Sequence, residues 1–168
     1  MSIEYALVVI KPDGLSKGLA GKVLDRFLKT GLKLLAIKTV KVSQKLAEAH
    51  YGHLSQQPFY QQILDYLQGK LHKTDQVIVF VCAGKNAVKV SRKLAGATNP
   101  EEADPTSIRG AFGRIRTDGL YENVVHVSSD TEESVREIKL WFEPEEFAEA
   151  IFPVKTVKQV IEKKKVWK

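Results

Sequence analysis

The chain has 168 residues, 43% hydrophobic and 27% charged, with one cysteine and a formal net charge of +6. That balance excludes a fibrous or disordered chain and any internal disulfide framework, and it fits one soluble domain with a real core. The positive charge is concentrated: from Pro153 onward six lysines face a single acid, Glu162, so the rest of the chain is nearly neutral. No apolar run approaches a membrane span, and Met1 leads into EYALVVIK without the segments of a signal peptide, so a cytoplasmic protein with no membrane association is expected.

Residues 4–11, EYALVVIK, read as a strand that stops at the turn Pro12-Asp13-Gly14, which leaves Lys11 at its mouth. From Gly18 to Thr30, Leu19, Val23, Leu24, Phe27 and Leu28 recur at helical spacing, with Gly31 as a left-handed stop. LKLLAIKTVKV, residues 32–42, is a second strand. Ser43 opens a helical stretch through Tyr51, and Pro58 sits at the first turn of another helix, FYQQILDYL, closed by Gly69. QVIVFVCA, residues 76–83, is an uninterrupted apolar run, a strand covered on more than one face with Cys82 as a buried thiol. A helix from about Asn86 to Leu94 follows, then a loop rich in Pro, Thr and Gly. After VVHVS, residues 124–128, Ser129 and Glu132 have capping-box spacing, and the helix continues with Val135, Ile138 and Phe142 on one stripe until Pro144. About four strands and five or more helices alternate, so an α/β or α+β sandwich is expected, its strand order open.

Seven segments sharpen this outline: IKPDG at 10–14, HY at 50–51, PFY at 58–60, RKLAGATNP at 92–100, SIRGAF at 107–112, NVVHVS at 123–128 and EIKLWF at 137–142. In this order, over about Glu4 to Phe147, the chain resembles nucleoside diphosphate kinase. The resemblance implies a ferredoxin-like sandwich, a four-stranded antiparallel sheet with helices packed on it. It also implies a domain over residues 1–152 ahead of a basic tail at 153–168, and a homo-oligomer, tetramer or hexamer. The implied reaction moves the γ-phosphoryl group of a nucleoside triphosphate, typically ATP, to a nucleoside diphosphate through a phosphohistidine.

Histidine suits that role because its imidazole is partly unprotonated near neutrality and can form a covalent intermediate. In the strand reading Val124, His126 and Ser128 face one way and Val125, Val127 and Ser129 the other, so His126 can leave the core for a cleft. Taken alone, a histidine in a valine-rich strand is more often a packing residue; the ordered company of the other segments decides for chemistry. By resemblance Glu137 holds the ring, with Ser128 beside it, although Glu137 lies off the apolar stripe of its helix. The family places Lys11, Tyr51, Arg92, Thr98 and Arg109 on phosphates, and Asn123 with Lys11 on the ribose hydroxyls. Phe59, which alone would read as a core aromatic anchoring its helix, by resemblance stacks on the base, a contact that reads any π-face and discriminates little between bases.

Magnesium is the implied cofactor, held by substrate and water, so no protein ligand is expected. His50, His53 and His72 lack zinc-helix spacing and read as surface residues, and the glycines at 14, 18 and 21 lack the lysine and hydroxyl of a P-loop. The chain departs from the family at Val127, where glycine is usual, in an extra serine before Asp130, at Ala111, where an acid is usual, and in longer segments at 71–75 and 114–121. In the tail Val154, Val157 and Ile161 recur at helical spacing, which suggests an assembly arm. A second reading, a non-catalytic nucleotide-fold protein that binds nucleic acid or a protein partner through the tail, is disfavoured because every expected catalytic residue type is retained.

Overall fold

The structure, a computed structural model, describes residues 3–157. In chain order it runs β1 (Glu4–Ile10), α1 (Pro12–Ser16), α2 (Ala20–Leu28), β2 (Lys33–Lys41), α3 (Gln44–Tyr51), α4 (Tyr60–Leu67) and β3 (Gln76–Gly84). Then come α5 (Ala87–Ala95), α6 (Ile108–Phe112), the hairpin β4 (Arg114–Ile115) and β5 (Tyr121–Glu122), β6 (Val125–Val127) and α7 (Thr131–Trp141). The main sheet has the order β2-β3-β1-β6 with every pair antiparallel, the ferredoxin-like arrangement that the resemblance implies.

Side-chain alternation along β1 divides the core in two. Ala6, Val8 and Ile10 join a cluster with Val23 and Phe27 of α2, Val88 and Ala95 of α5 and Ile108 of α6. Leu7 and Val9 point the other way, to Ala47 and Tyr51 of α3, Leu64 and Leu67 of α4, and Ile138 and Trp141 of α7. All five β1 residues are fully buried, because β1 and β3 are the two inner strands and helices cover both faces. QVIVFVCA therefore has no polar face, and its Cys82 is a buried free thiol.

The ends of elements hold most of the differences from the sequence reading. Pro12-Asp13-Gly14 is not a bare turn but the start of α1. The loop after α5 contains α6, whose cap Ser107 accepts from the Gly110 N–H at 3.1 Å. Helix α7 begins one residue later than Ser129 and Glu132 suggested: Asp130 accepts from the Glu133 N–H at 2.8 Å, while Ser129 donates to the Asp130 carboxylate. The extra serine moves the turn by one position, and the carboxylate is the better acceptor.

The two longer segments meet at one acid. His72 Nε2 lies 3.1 Å from one oxygen of Glu122, and Arg114 donates to the other at 2.6 Å, with the Lys17 ammonium 3.4 Å away. Burial alone would raise the Glu122 carboxyl, yet Arg114, His72 and Lys17 hold it down at about 2. This places hairpin β4–β5 against the turn after α4, at the residue before Asn123.

Beyond α7, Phe152 packs edge-on against Tyr5 with ring centroids 5.3 Å apart and closes the second core. Residues 153–157 are not helical, and Val154 and Val157 are exposed. Ile161 and the rest of the expected tail stripe lie outside the described residues.

Candidate active site

A cleft of about 390 Å³ opens beside β6. Its wall is set by a break in strand geometry. Val125 N–H donates to the Asn123 carbonyl at 2.7 Å, and Val124 between them has φ +68°. That is the strained form of γ-turn, rare for a β-branched residue. Val124 therefore does not share a face with His126, as simple alternation had it: Val124, Val125 and Val127 all enter the first core. His126 and Ser128 turn to the opposite side, and Asn123 is carried into the cleft.

His126 Nε2 lies 2.6 Å from Glu137 Oε1, and Ser128 donates its hydroxyl to Oε2 of the same carboxylate at 2.5 Å. Glu137 is fully buried and belongs to the inward stripe of α7 with Ser134, Ile138 and Trp141, contrary to the expectation that it sits off that stripe. Burial raises its carboxyl above the ordinary range, while His50 and the Ser128 hydroxyl pull the other way. Burial also lowers the imidazole of His126, to about 3, and the nearby charges of Lys11 and Arg109 push in the same direction. The resting ring is therefore neutral. Donation from Nε2–H to Glu137 fixes the tautomer and leaves the Nδ1 lone pair available.

His50 is the main residue that sequence reasoning misplaced. Far from the surface, it is fully buried, accepts from the Trp141 Nε1–H at 3.2 Å, and stands edge-to-face on His126 with ring centroids 4.4 Å apart. Burial, then the neighbouring His126, keeps it neutral. The signal was present: Ala47, His50 and Tyr51 follow the i, i+3, i+4 spacing of a buried helix face. His72 is also largely buried, against Glu122, whereas His53 is exposed at the cleft.

The cations come from three elements. Lys11, at the end of β1, is buried and donates to Asn123 Oδ1, and Asn123 in turn donates to the Thr98 carbonyl at 2.8 Å. Desolvation brings the Lys11 ammonium down to about 7, with Asp13 opposing and Arg109 assisting. Arg109 of α6 reaches back to the Val125 carbonyl at 3.0 Å and the Gly96 carbonyl at 2.8 Å. Gly96 has to be glycine: its φ is +87°, and a Cβ would stand 2.2 Å from the Ser107 hydroxyl. Arg92 of α5 and Thr98 are exposed at the mouth, and the Tyr51 phenol, raised by burial, lies at the floor.

Lys11, Tyr51, Arg92, Thr98, Arg109, Asn123, His126 and Glu137 thus line one cleft, with Ser128 buried behind Glu137. Phe59 is not in the lining. It is 46% exposed one turn before Ile63, which is, so it is no core anchor. Among the described residues, His50, His126 and Glu137 have ligand atoms within 4.8 Å of one another, but His126 Nε2 and Glu137 Oε1 already face each other at 2.6 Å and His50 Nδ1 accepts from Trp141. Among the described residues no helix is long and apolar enough to cross a membrane.

The family model for nucleoside diphosphate kinase matches residues 4–147. A nucleoside diphosphate kinase of Thermococcus kodakarensis is 42% identical over 147 residues, 88% of this chain and 81% of that one. The structure is similar to one from Borrelia burgdorferi solved as a transition-state mimic with vanadate and ADP, at TM-score 0.78 and 31% identity, covering 88% of this chain and 91% of that one. It is likewise similar to one from Halobacterium salinarum in complex with CDP, at TM-score 0.79 and 31% identity, covering 88% and 93%.

Proposed function

The chain belongs to the nucleoside diphosphate kinase family and is a phosphotransferase from nucleoside triphosphate to nucleoside diphosphate; we propose that the γ-phosphoryl group travels on His126. The observation that carries this reading is the neutral imidazole held through Nε2 by Glu137, with Ser128 behind it, in a cleft lined by Lys11, Arg92 and Arg109.

In the first half-reaction the Nδ1 lone pair attacks the γ-phosphorus. The bond to the bridging oxygen breaks, its electrons leave with the nucleoside diphosphate, and the ring keeps its Nε2 proton. The positive charge that develops on the imidazole is met by the Glu137 carboxylate at 2.6 Å. A second nucleoside diphosphate then takes the group back along the same path, which makes the kinetics ping-pong. Charge on the transferred group spreads over its oxygens, so Lys11, Arg92, Arg109 and the Tyr51 and Thr98 hydroxyls act by position and field. Asn123 and Lys11 hold the ribose hydroxyls, and Phe59 is the platform for the base.

The lining fits magnesium carried by the nucleotide rather than caged by protein, because it offers cations and an amide, and its two acids are already engaged, Glu133 with Arg136 at 2.5 Å and Glu137 with His126 and Ser128. When bound, that ion would be held by the nucleotide and water rather than by side chains of the cleft, and would offset charge on the phosphates. Assembly into a homo-oligomer is supported by β2, a sheet edge with Ile37 45% exposed. The lone buried thiol of Cys82 suits a cytoplasmic setting. Every proposed site residue lies within 1–152, so truncation after Pro153 leaves exchange activity per assembly unchanged.

Incubation with ATP and magnesium, followed by peptide mapping, tests the core of this reading. An acid-labile, base-stable phosphoryl group on His126 is expected. A label on serine, or normal exchange by His126→Gln, refutes it.

A further inference from the structure

Asp13 has no role in the transfer as described, yet it is completely buried. Its carboxylate accepts the Tyr66 hydroxyl at 2.7 Å through Oδ1 and the Val124 N–H at 3.0 Å through Oδ2. Around it the start of α1 clasps the γ-turn. The Lys11 N–H donates to the Val124 carbonyl at 2.8 Å, and a Cβ on Gly14 would come within 3.0 Å of the Val124 side chain. A valine at φ +68° does not hold that conformation by preference. Its neighbours must over-determine it, and the charge-assisted bond from Asp13 is the strongest contact on its amide. The turn runs from Asn123 to Val125, and His126 follows it directly.

We propose that Asp13 is a positioning residue for the transfer reaction: by gripping the Val124 amide it holds the γ-turn that places the ribose-binding Asn123 and the nucleophilic His126 in one cleft. The inference rests on the roles proposed above for those two residues. Relaxation of Val124 toward ordinary strand geometry would swing Asn123 out of reach of Lys11 and shift the start of β6. Misplacement of about 1 Å costs on the order of 100-fold in rate. Removing Asp13 therefore affects phosphorylation of His126 and the KM for the nucleoside diphosphate together, whereas loss of a purely structural bond lowers stability alone.

Three variants of the full chain, Asp13→Ala, Asp13→Asn and Asp13→Ala combined with Val124→Gly, separate these possibilities. Asparagine can still accept from the Val124 N–H and donate to Tyr66, and glycine adopts positive φ without help. Single-turnover transfer from ATP is expected to fall about 100-fold in Asp13→Ala, with a raised KM for the acceptor. Asp13→Asn recovers most of that loss, and the glycine double variant recovers part of it despite its missing core side chain. Amide hydrogen exchange at residue 124, measured without nucleotide, reads the grip independently of any activity: faster exchange in Asp13→Ala than in Asp13→Asn is expected. Protection that survives in a folded Asp13→Ala protein overturns the grip. Lost protection with undiminished transfer overturns its link to the chemistry. Absence of phosphohistidine in the unaltered protein instead overturns the function proposed for His126 and leaves the exchange result standing.

Discussion

Replacing Glu137 with glutamine separates the chemical role of this buried carboxylate from any contribution to packing. The amide keeps the volume of the side chain, its carbonyl can still accept from His126 Nε2–H, and its NH₂ can donate to the Ser128 hydroxyl, so both contacts survive, lengthened from 2.6 and 2.5 Å to those of neutral hydrogen bonds. What disappears is the negative charge beside an imidazole that becomes cationic on phosphorylation. A hydrogen bond to an ionised group contributes about 1.5–3 kcal/mol and a neutral one about 0.5–1.5, so the loss is about 1–2 kcal/mol in the transition state. At 1.36 kcal/mol per decade this is roughly a 5- to 30-fold fall in the single-turnover rate of His126 phosphorylation. Stability moves the opposite way. The Glu137 carboxyl is raised on folding, chiefly by burial, so its stabilisation is complete only below its unfolded pKa and is lost as pH rises through the folded one. At neutral pH Glu137 is thus a burden on the fold, and Glu137→Gln melts at the same temperature as the unaltered protein or higher. Rapid-quench transfer from ATP and a thermal melt at pH 7 give both numbers. An unchanged transfer rate, or a lower melting temperature with activity lost in proportion, refutes the argument.

Phe59→Ala weakens purine and pyrimidine diphosphates alike, by about 1–3 kcal/mol at most in nucleotide titrations, and leaves the melting temperature unchanged, because the ring is exposed and anchors nothing; an effect confined to one base points to a different pocket. Lys11 in the free protein loses its proton near pH 7, and phosphate at its ammonium favours the charged form. ADP binding at pH 8 therefore takes up a proton, seen by calorimetry in two buffers of different ionisation enthalpy, and Lys11→Arg abolishes the uptake; equal uptake in both proteins contradicts the assignment. Glu122 is lowered on folding from 4.5 to about 2, so its contribution is complete above about pH 4.5 and is lost as pH falls through about 2. Glu122→Gln lowers stability at pH 7 by roughly 1–3 kcal/mol, discounted for the exposed Arg114, and its difference from the unaltered protein shrinks across that acid window; a difference constant from pH 7 to 2 removes the ion cluster as its cause.

The chemistry was more legible in the sequence than the geometry that delivers it. Strand periodicity, helical stripes and turn residues located β1, β2, β3 and α2 to within a few residues, because each is governed by its own neighbours. Eight of the residues that the ordered segments from IKPDG to EIKLWF assign to a site line one cleft, since the fold carries them there. Periodicity went wrong where one residue's conformation is imposed from far along the chain. Val124 reads as a strand residue in line with His126, and nothing local opposes that reading. It is turned over by the carboxylate of Asp13, 111 positions earlier, which itself looked like the middle of a simple turn. Glu137 read as lying off the apolar stripe of its helix for the same reason: helical periodicity alone gives no hint of the two donors, His126 and Ser128, that await it at β6, and only the resemblance supplied them.

Burial of polar groups is the general form of this blind spot. His50, Asp13, Glu122 and Glu137 are all polar or charged, all essentially without solvent exposure, and all stabilised by partners from distant elements. A buried ionisable group without such partners would be expelled or neutralised, so each buried carboxylate implies a set of donors that composition cannot reveal, while His50, whose Nε2 has no hydrogen-bond partner, stays neutral. The pairs form two groups. Tyr66 and Val124 on Asp13, together with His126 and Ser128 on Glu137, fix His126 from both ends of β6. His72 and Arg114 on Glu122 anchor the hairpin that runs into Asn123. Each carboxylate thus restrains the residue next to, or one step from, a group assigned to substrate. That is why the longer segment at 114–121 leaves Asn123 and Arg109 in the same cleft: it is tied down immediately before the chain re-enters the site.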